Sequence, residues 1–110
     1  MTDILLAQTS RRLQVLDLRR RIEIIAITAQ RDAFLMDEFP RRTHISNRLA
    51  CLLVARKATL SADELVPLVR LARTCYKRTS DILHGRASLV GVSQAQIDEW
   101  QSLVEKLEIL

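Results

Sequence analysis

No other stretch of the chain is as long, as free of glycine and proline, and as apolar as LQVLDLRRRIEIIAITAQRDAFLMDEF, residues 13–39. Its apolar residues recur in steps of three and four, which is the spacing of one face of an α-helix. The stripe on this face consists of Val15, Leu18, Ile22, Ile25, Ala29, Ala33 and Met36. The sequence therefore predicts one long helix over residues 13–39 that turns this stripe towards the core. Residues 1–12 are expected to extend this helix, and its first residue is left open.

A second apolar stripe lies nearly opposite the first on the same helix, and charged residues interrupt it. A helix that is apolar on two faces must be covered on two sides, and the later helices of so short a chain readily cover one. Apolar anchors with charges among them are typical of an interface, because the charges fix its register. The predicted partner or dimer interface consists of Leu13, Leu16, Arg20, Ile24, Ile27, Arg31, Phe34 and Leu35. The alternative is that the later helices enclose the first helix completely.

The composition indicates a single all-α domain. The chain has 110 residues, 48% of them hydrophobic, which suffices for one core but not for two. It contains only two glycines, two prolines and four aromatic residues, and such a composition favours helix over sheet.

Helix-breaking and helix-capping residues divide the rest of the chain into three further helices. Pro40 ends the first helix, and a second is predicted over residues 43–58. Ser61 and Ser93 each begin a capping box, with Glu64 and Gln96 three residues later, and Gly85 is placed to end the third helix. Because short connections join the helices, the predicted fold is an antiparallel four-helix bundle with a long first helix, forming a dimer.

The net charge of +4 is unevenly distributed. Residues 94–110 carry four acids and one lysine, a net charge of −3, so residues 1–93 carry +7. This asymmetry suggests either self-complementarity between subunits or attraction to an acidic surface. The N-terminus lacks the pattern of a signal peptide, and no apolar run approaches the roughly 20 residues of a membrane span, so we expect a cytoplasmic protein with no membrane partner. Cys51 and Cys75 lie in helical patterns and are expected to be buried and reduced.

The sequence contains no pattern of residues typical of a metal or cofactor site. His44 and His84 are forty residues apart and have no cysteine near them, and phosphate-loop and nucleophile-elbow motifs are missing. We therefore predict no metal and no cofactor.

One segment resembles a known family. In YKRTSDILHGRAS, residues 76–88, Arg78 is followed after a short spacer by His84 and Gly85. This arrangement resembles the motif of the HEPN superfamily of small helical bundles, many of which are dimeric ribonucleases. The resemblance implies that His84 would act as acid or base on a ribose or leaving-group oxygen and that Arg78 would stabilise charge on the phosphate. Another reading of the same residues is a helix-terminal histidine and a solvated arginine.

Nucleic-acid binding is possible but not favoured. Arg70, Arg73 and Lys77 share one helix face and could contact phosphates. Aromatic residues are not interleaved with them, and the turn before this helix lacks the glycine of a helix-turn-helix. A solvated basic face is the simpler interpretation.

The sequence thus predicts a non-enzymatic interaction or regulatory module. It would form a homodimer through the first helix and modulate another protein, such as a transcription regulator. The first alternative is a HEPN-like ribonuclease or toxin–antitoxin component, and this ribonuclease is the enzyme expected if the chain is an enzyme at all. The second alternative is a DNA-binding regulator.

Overall fold

The computed structural model describes residues 2–35 and 44–110, and over these residues it contains helices and no strand. The helices are α1 (Thr2–Ala33), α2 (Ile45–Ala50), α3 (Leu52–Ala55), α4 (Ala62–Leu83) and α5 (Gln94–Glu108), with a short 3-10 turn at Leu89–Gly91. They pack around one continuous core. The all-α prediction is confirmed.

α1 spans the length of the molecule. Its 32 residues extend about 48 Å at the rise of an α-helix, close to the longest molecular dimension of 51 Å. Five residues of the predicted core stripe are buried, namely Val15, Leu18, Ile22, Ile25 and Ala29, which confirms that part of it. Ala33 is half-buried.

The C-terminal end of α1 differs from the prediction. The helix stops at Ala33, and Leu35 has a φ of 51°, a left-handed conformation that is uncommon outside glycine. Met36, Phe39 and Pro40 lie outside the described residues. α1 therefore ends at Ala33, six residues before Phe39, where the sequence predicted its end.

The predicted second helix is two short helices. α2 and α3 are separated at Cys51, and each contributes one fully buried leucine, Leu49 and Leu52. The guanidinium of Arg56, which follows α3, donates to Asp32 near the end of α1 at 2.9 Å. This ion pair fixes the two helix ends together.

Contacts between helices show their relative directions. Gln94 at the start of α5 donates to Gln14 at 2.9 Å, and Glu108 at its end accepts from Arg21, so α5 follows α1 in the same order.

α4 meets α1 in the reverse order. Arg19 donates to Ser80 at 3.2 Å, whereas the earlier Tyr76 donates to the later Glu23 at 3.1 Å. By these hydrogen bonds α4 runs opposite to α1, whereas α5 follows α1 in the same direction.

The two predicted capping boxes each form in part. Ser93 accepts a hydrogen bond from the Gln96 amide at 3.1 Å, as expected. Ser61 instead donates its hydroxyl hydrogen to the Glu64 carboxylate at 3.1 Å and makes no side-chain bond to the backbone. Both serines nevertheless precede the first residue of a helix, so the boundaries were predicted correctly.

α4 ends in a Schellman motif. Gly85 adopts a φ of 73°, its amide donates to the Ile82 carbonyl, and the Arg86 amide donates to the Asp81 carbonyl at 2.7 Å. This turn sets the position of His84, the last residue before Gly85.

None of the helices in the described ranges is long and apolar enough to cross a membrane.

The two cysteines are free thiols in different surroundings. Burial raises the pKa of Cys75 to about 12, and partial burial raises that of Cys51. The prediction that both are buried is therefore correct for Cys75, while Cys51 is half-buried because it lies at the break between α2 and α3.

We expect iodoacetamide at pH 8 to modify Cys51 slowly and Cys75 only after unfolding, since the thiolate is the reactive form and needs access to reagent. Mass spectrometry of the native and the urea-unfolded protein measures both sites. Equal labelling of the two cysteines in the native protein would contradict the burial of Cys75.

Candidate functional surfaces

The second stripe of α1 lies on the surface. Leu13, Ile24 and Phe34 are 61%, 62% and 65% exposed, although each is a large apolar side chain. Six of the eight predicted interface residues are exposed, namely Leu13, Leu16, Arg20, Ile24, Phe34 and Leu35. The other two, Ile27 and Arg31, are half-buried, because they lie where the outer face of α1 meets the rest of the bundle.

The exposed face continues towards the N-terminus. Ile4, Leu5 and Leu6 are each more than 60% exposed, and sequence reasoning missed them because it left the start of the first helix open. Leu6 precedes Leu13 by seven residues and therefore lies on the same face. The heptad spacing was the signal that could have found it. We call the exposed residues Leu6, Leu13, Leu16, Arg20, Ile24 and Phe34 the outer stripe.

A shallow depression of about 360 Å³ lies in the middle of the outer stripe, and it has charged residues between its apolar ends. Leu13 and Ile24 lie at its two ends, with Asp17 and Arg20 between them. Arg20 forms no ion pair with any residue in the described ranges.

The neighbouring Arg21 has partners within the chain. It bonds Glu108 of α5 through two nitrogens and lies 3.4 Å from Asp17. The hydrogen bond from Arg21 lowers the pKa of Glu108 and raises that of Arg21 itself. Arg21 is thus held against the bundle, whereas Arg20 faces outward.

The structure does not bring the residues of the HEPN-like motif together. The Arg78 guanidinium lies 5.6 Å from the centre of the Trp100 ring of α5, and Arg78 lines a depression of about 170 Å³. His84 lines a different depression. The two side chains lie on different sides of α4, as six residues of helix require.

The depression that contains His84 is a groove of about 590 Å³ between α1, α2 and α4. Its charged and imidazole side chains are Arg19, His44, Arg73, Lys77, Asp81, His84 and Arg86. We call it the basic groove. It contains both histidines of the chain.

The fold builds the basic groove from separate parts of the sequence. Arg73, Lys77, Ser80 and His84 follow one another in steps of four, three and four, so α4 presents them on one face. His44 lies immediately before α2 and caps it, because its Nδ1 accepts a hydrogen bond from the Ser46 amide at 3.2 Å.

Of the three residues predicted to bind nucleic acid, two lie in the basic groove and one lies outside it. Arg73 and Lys77 line the basic groove, whereas Arg70 is exposed and does not. Sequence reasoning missed the contributions of Arg19 and His44. No sequence signal could have found them, because they lie far from α4 along the chain.

No group of three or more histidine, cysteine or acidic side chains that could hold a metal ion occurs within residues 2–35 and 44–110. Comparison with models of protein families, with curated proteins and with solved structures finds no match to this chain.

Proposed function

We propose that the protein is a non-enzymatic interaction module that forms a homodimer through the outer stripe of α1 and, as a dimer, binds and modulates another protein, such as a transcription regulator. The observation that carries the proposal is the exposure of large apolar side chains along one face of a helix whose opposite face fills the core. Exposed apolar patches of this kind mark interaction surfaces.

Arg20 of the outer stripe and the neighbouring Asp17 favour a second copy as its occupant. A two-fold axis that crosses α1 between residues 18 and 19 places Asp17 of each copy beside Arg20 of the other. The same axis places Leu13 of each copy beside Ile24 of the other, so apolar pairs flank the two ion pairs. An isologous interface must be self-complementary in this way. A parallel arrangement would instead place Arg20 against Arg20.

The expected affinity follows from the exposed area. Four side chains of each copy, Leu6, Leu13, Ile24 and Phe34, would be buried in the dimer. Burying the exposed part of one of them contributes roughly 1 to 2 kcal/mol, so the eight side chains of the dimer contribute about 8 to 16 kcal/mol. Association itself costs about 4 to 15 kcal/mol. A net gain of about 8 kcal/mol, towards the favourable end of this balance, corresponds to a dissociation constant on the order of 1 μM.

The ribonuclease alternative requires Arg78 and His84 to act on one phosphate, and they line different depressions. The interaction module needs no such convergence, because the exposed apolar side chains of the outer stripe lie beside the opposite charges of Asp17 and Arg20. The identity of the regulated protein is to be sought with the dimer in hand.

Leu13→Glu is expected to yield a folded monomer, with the dissociation constant of the dimer raised roughly 30-fold or more, as for the loss of a central interface residue. Sedimentation velocity from about 0.1 to 100 μM, around the affinity expected above, measures the change. Leu71→Glu is the matched control, because Leu71 is 55% exposed but lies on α4. We expect it to dimerise like the wild-type protein. A wild-type protein that stays monomeric throughout this range would refute the proposal.

Charge reversal tests the geometry of the dimer. Arg20→Glu places an acid beside Asp17 of the second copy and should weaken the dimer, whereas the double variant Asp17→Arg/Arg20→Glu should restore it. If the double variant is no stronger than the single one, the two residues do not face each other, and the two-fold arrangement is wrong.

A further inference from the structure

The basic groove has an excess of positive charge that its own acid does not balance. Asp81 lies 3.6 Å from Arg86 and compensates it, and Glu23 lies at 3.6 Å from Arg19. Arg73 and Lys77 have no acidic partner within the described residues. The centre of the excess is therefore on α4.

Arg73 is held in place by the backbone of α2. Its Nε and Nη2 both donate to the Ser46 carbonyl, at 3.1 and 2.7 Å. A guanidinium has five N–H donors, so three remain for a ligand. A fixed guanidinium with spare donors recognises planar oxyanions well, because little side-chain entropy is lost on binding.

Lys77 supplies a second charge one helical turn away. It is exposed, and it makes no hydrogen bond or ion pair with any residue in the described ranges. The imidazole of His84 belongs to the same face, seven residues after Lys77 and directly after the end of α4. These side chains together offer donors, and few acceptors, to whatever occupies the groove.

The size and lining of the groove distinguish a small ligand from a strand of nucleic acid. Its 590 Å³ lies within the range of about 300 to 1,000 Å³ typical of small-molecule sites. Single strands are bound by stacking bases on aromatic side chains. Of the Phe, Tyr and Trp residues in the described ranges, Tyr76 alone lines the groove, and it is half-buried with the Arg19 guanidinium 5.5 Å from its ring centre.

From this arrangement we infer that the basic groove binds a small phosphorylated molecule of about the size of a nucleotide, with Arg73, Lys77 and His84 contacting the phosphate. Hydroxyl groups of Ser46, Thr74 and Ser80 also line the groove and suit the polar remainder of such a ligand. The site lies away from the outer stripe, so this inference goes beyond the proposed dimerisation and does not depend on it.

Isothermal titration of the full chain with ADP, inorganic pyrophosphate and adenosine tests the inference. We expect ADP or pyrophosphate to bind at one site per chain with a dissociation constant below roughly 1 mM, and adenosine to bind at least about tenfold more weakly, because it lacks the charge. Failure of both phosphate probes to bind would overturn the inference.

Two variants separate a site from general charge attraction. Lys77→Glu should weaken binding by roughly tenfold or more, the effect of losing one charge-assisted hydrogen bond. Arg70→Glu makes the same change in charge on the same helix, outside the groove, and should change binding less than about twofold, since exposed charges are screened over about 10 Å. Equal losses in the two variants would overturn the inference. So would tighter binding of a single-stranded RNA octamer that depends on Lys77 in the same way.

Discussion

Trp100→Ala is expected to lower the free energy of unfolding by about 3 to 5 kcal/mol, the usual cost of removing a large aromatic side chain from a core. Trp100 is 6% exposed, and it lies on the buried face of α5 with Ile97, Val104 and Leu107. Its removal leaves a cavity between α5 and the rest of the core. Urea unfolding followed by far-ultraviolet circular dichroism measures the loss, since the variant lacks the only tryptophan.

Arg78→Ala is the matched comparison for Trp100→Ala. It removes the cation that lies over the same ring, and we expect a loss of about 0.5 to 1 kcal/mol, because Arg78 is exposed. If Trp100→Ala does not fold, Trp100→Phe retains most of the volume and keeps the measurement possible. A cost for Arg78→Ala as large as that of Trp100→Ala would show that the arginine does more than cover the ring.

Leu18→Ala is expected to cost about 2 to 5 kcal/mol, because Leu18 is completely buried on the core stripe of α1. The cost combines the lost transfer free energy of the side chain with the cavity that it leaves. Urea unfolding at a protein concentration where sedimentation detects only the single chain reports the stability of that chain.

Leu13→Ala makes the same chemical change on the opposite face of the same helix. Leu13 is 61% exposed, so we expect a change within about 0.5 kcal/mol under these conditions. Comparable losses in the two variants would mean that both faces of α1 are core. The outer stripe would then be no interface.

The spacing of apolar residues correctly predicted which face of α1 is buried. Val15, Leu18 and Ile22 recur at helical spacing. Side chains at this spacing share one face of the helix, and they are buried when that face packs against the core. Leu13 and Ile24 recur on the opposite face, and the structure leaves them exposed.

Helix boundaries were predictable where a side chain or glycine acts locally. Ser93 and Gly85 form the expected cap and C-terminal turn, because their effects extend over only a few residues. The end of α1 at Ala33 and the break at Cys51 were not predictable in this way. Neither position has proline or glycine, so the choice depends on packing.

The sequence by itself determined the helical class, the core stripe, the apolar character of the outer stripe and the starts of α4 and α5, because each follows from contacts within one or two turns of chain. Tertiary structure alone decided that α5 follows α1 in the same direction, that Arg78 lies over Trp100 while His84 faces elsewhere, and that His44 and Arg19 join α4 around one groove. These features depend on how whole helices rotate and slide against each other. That arrangement is set by the sum of many weak packing contacts, which no local pattern of residues records.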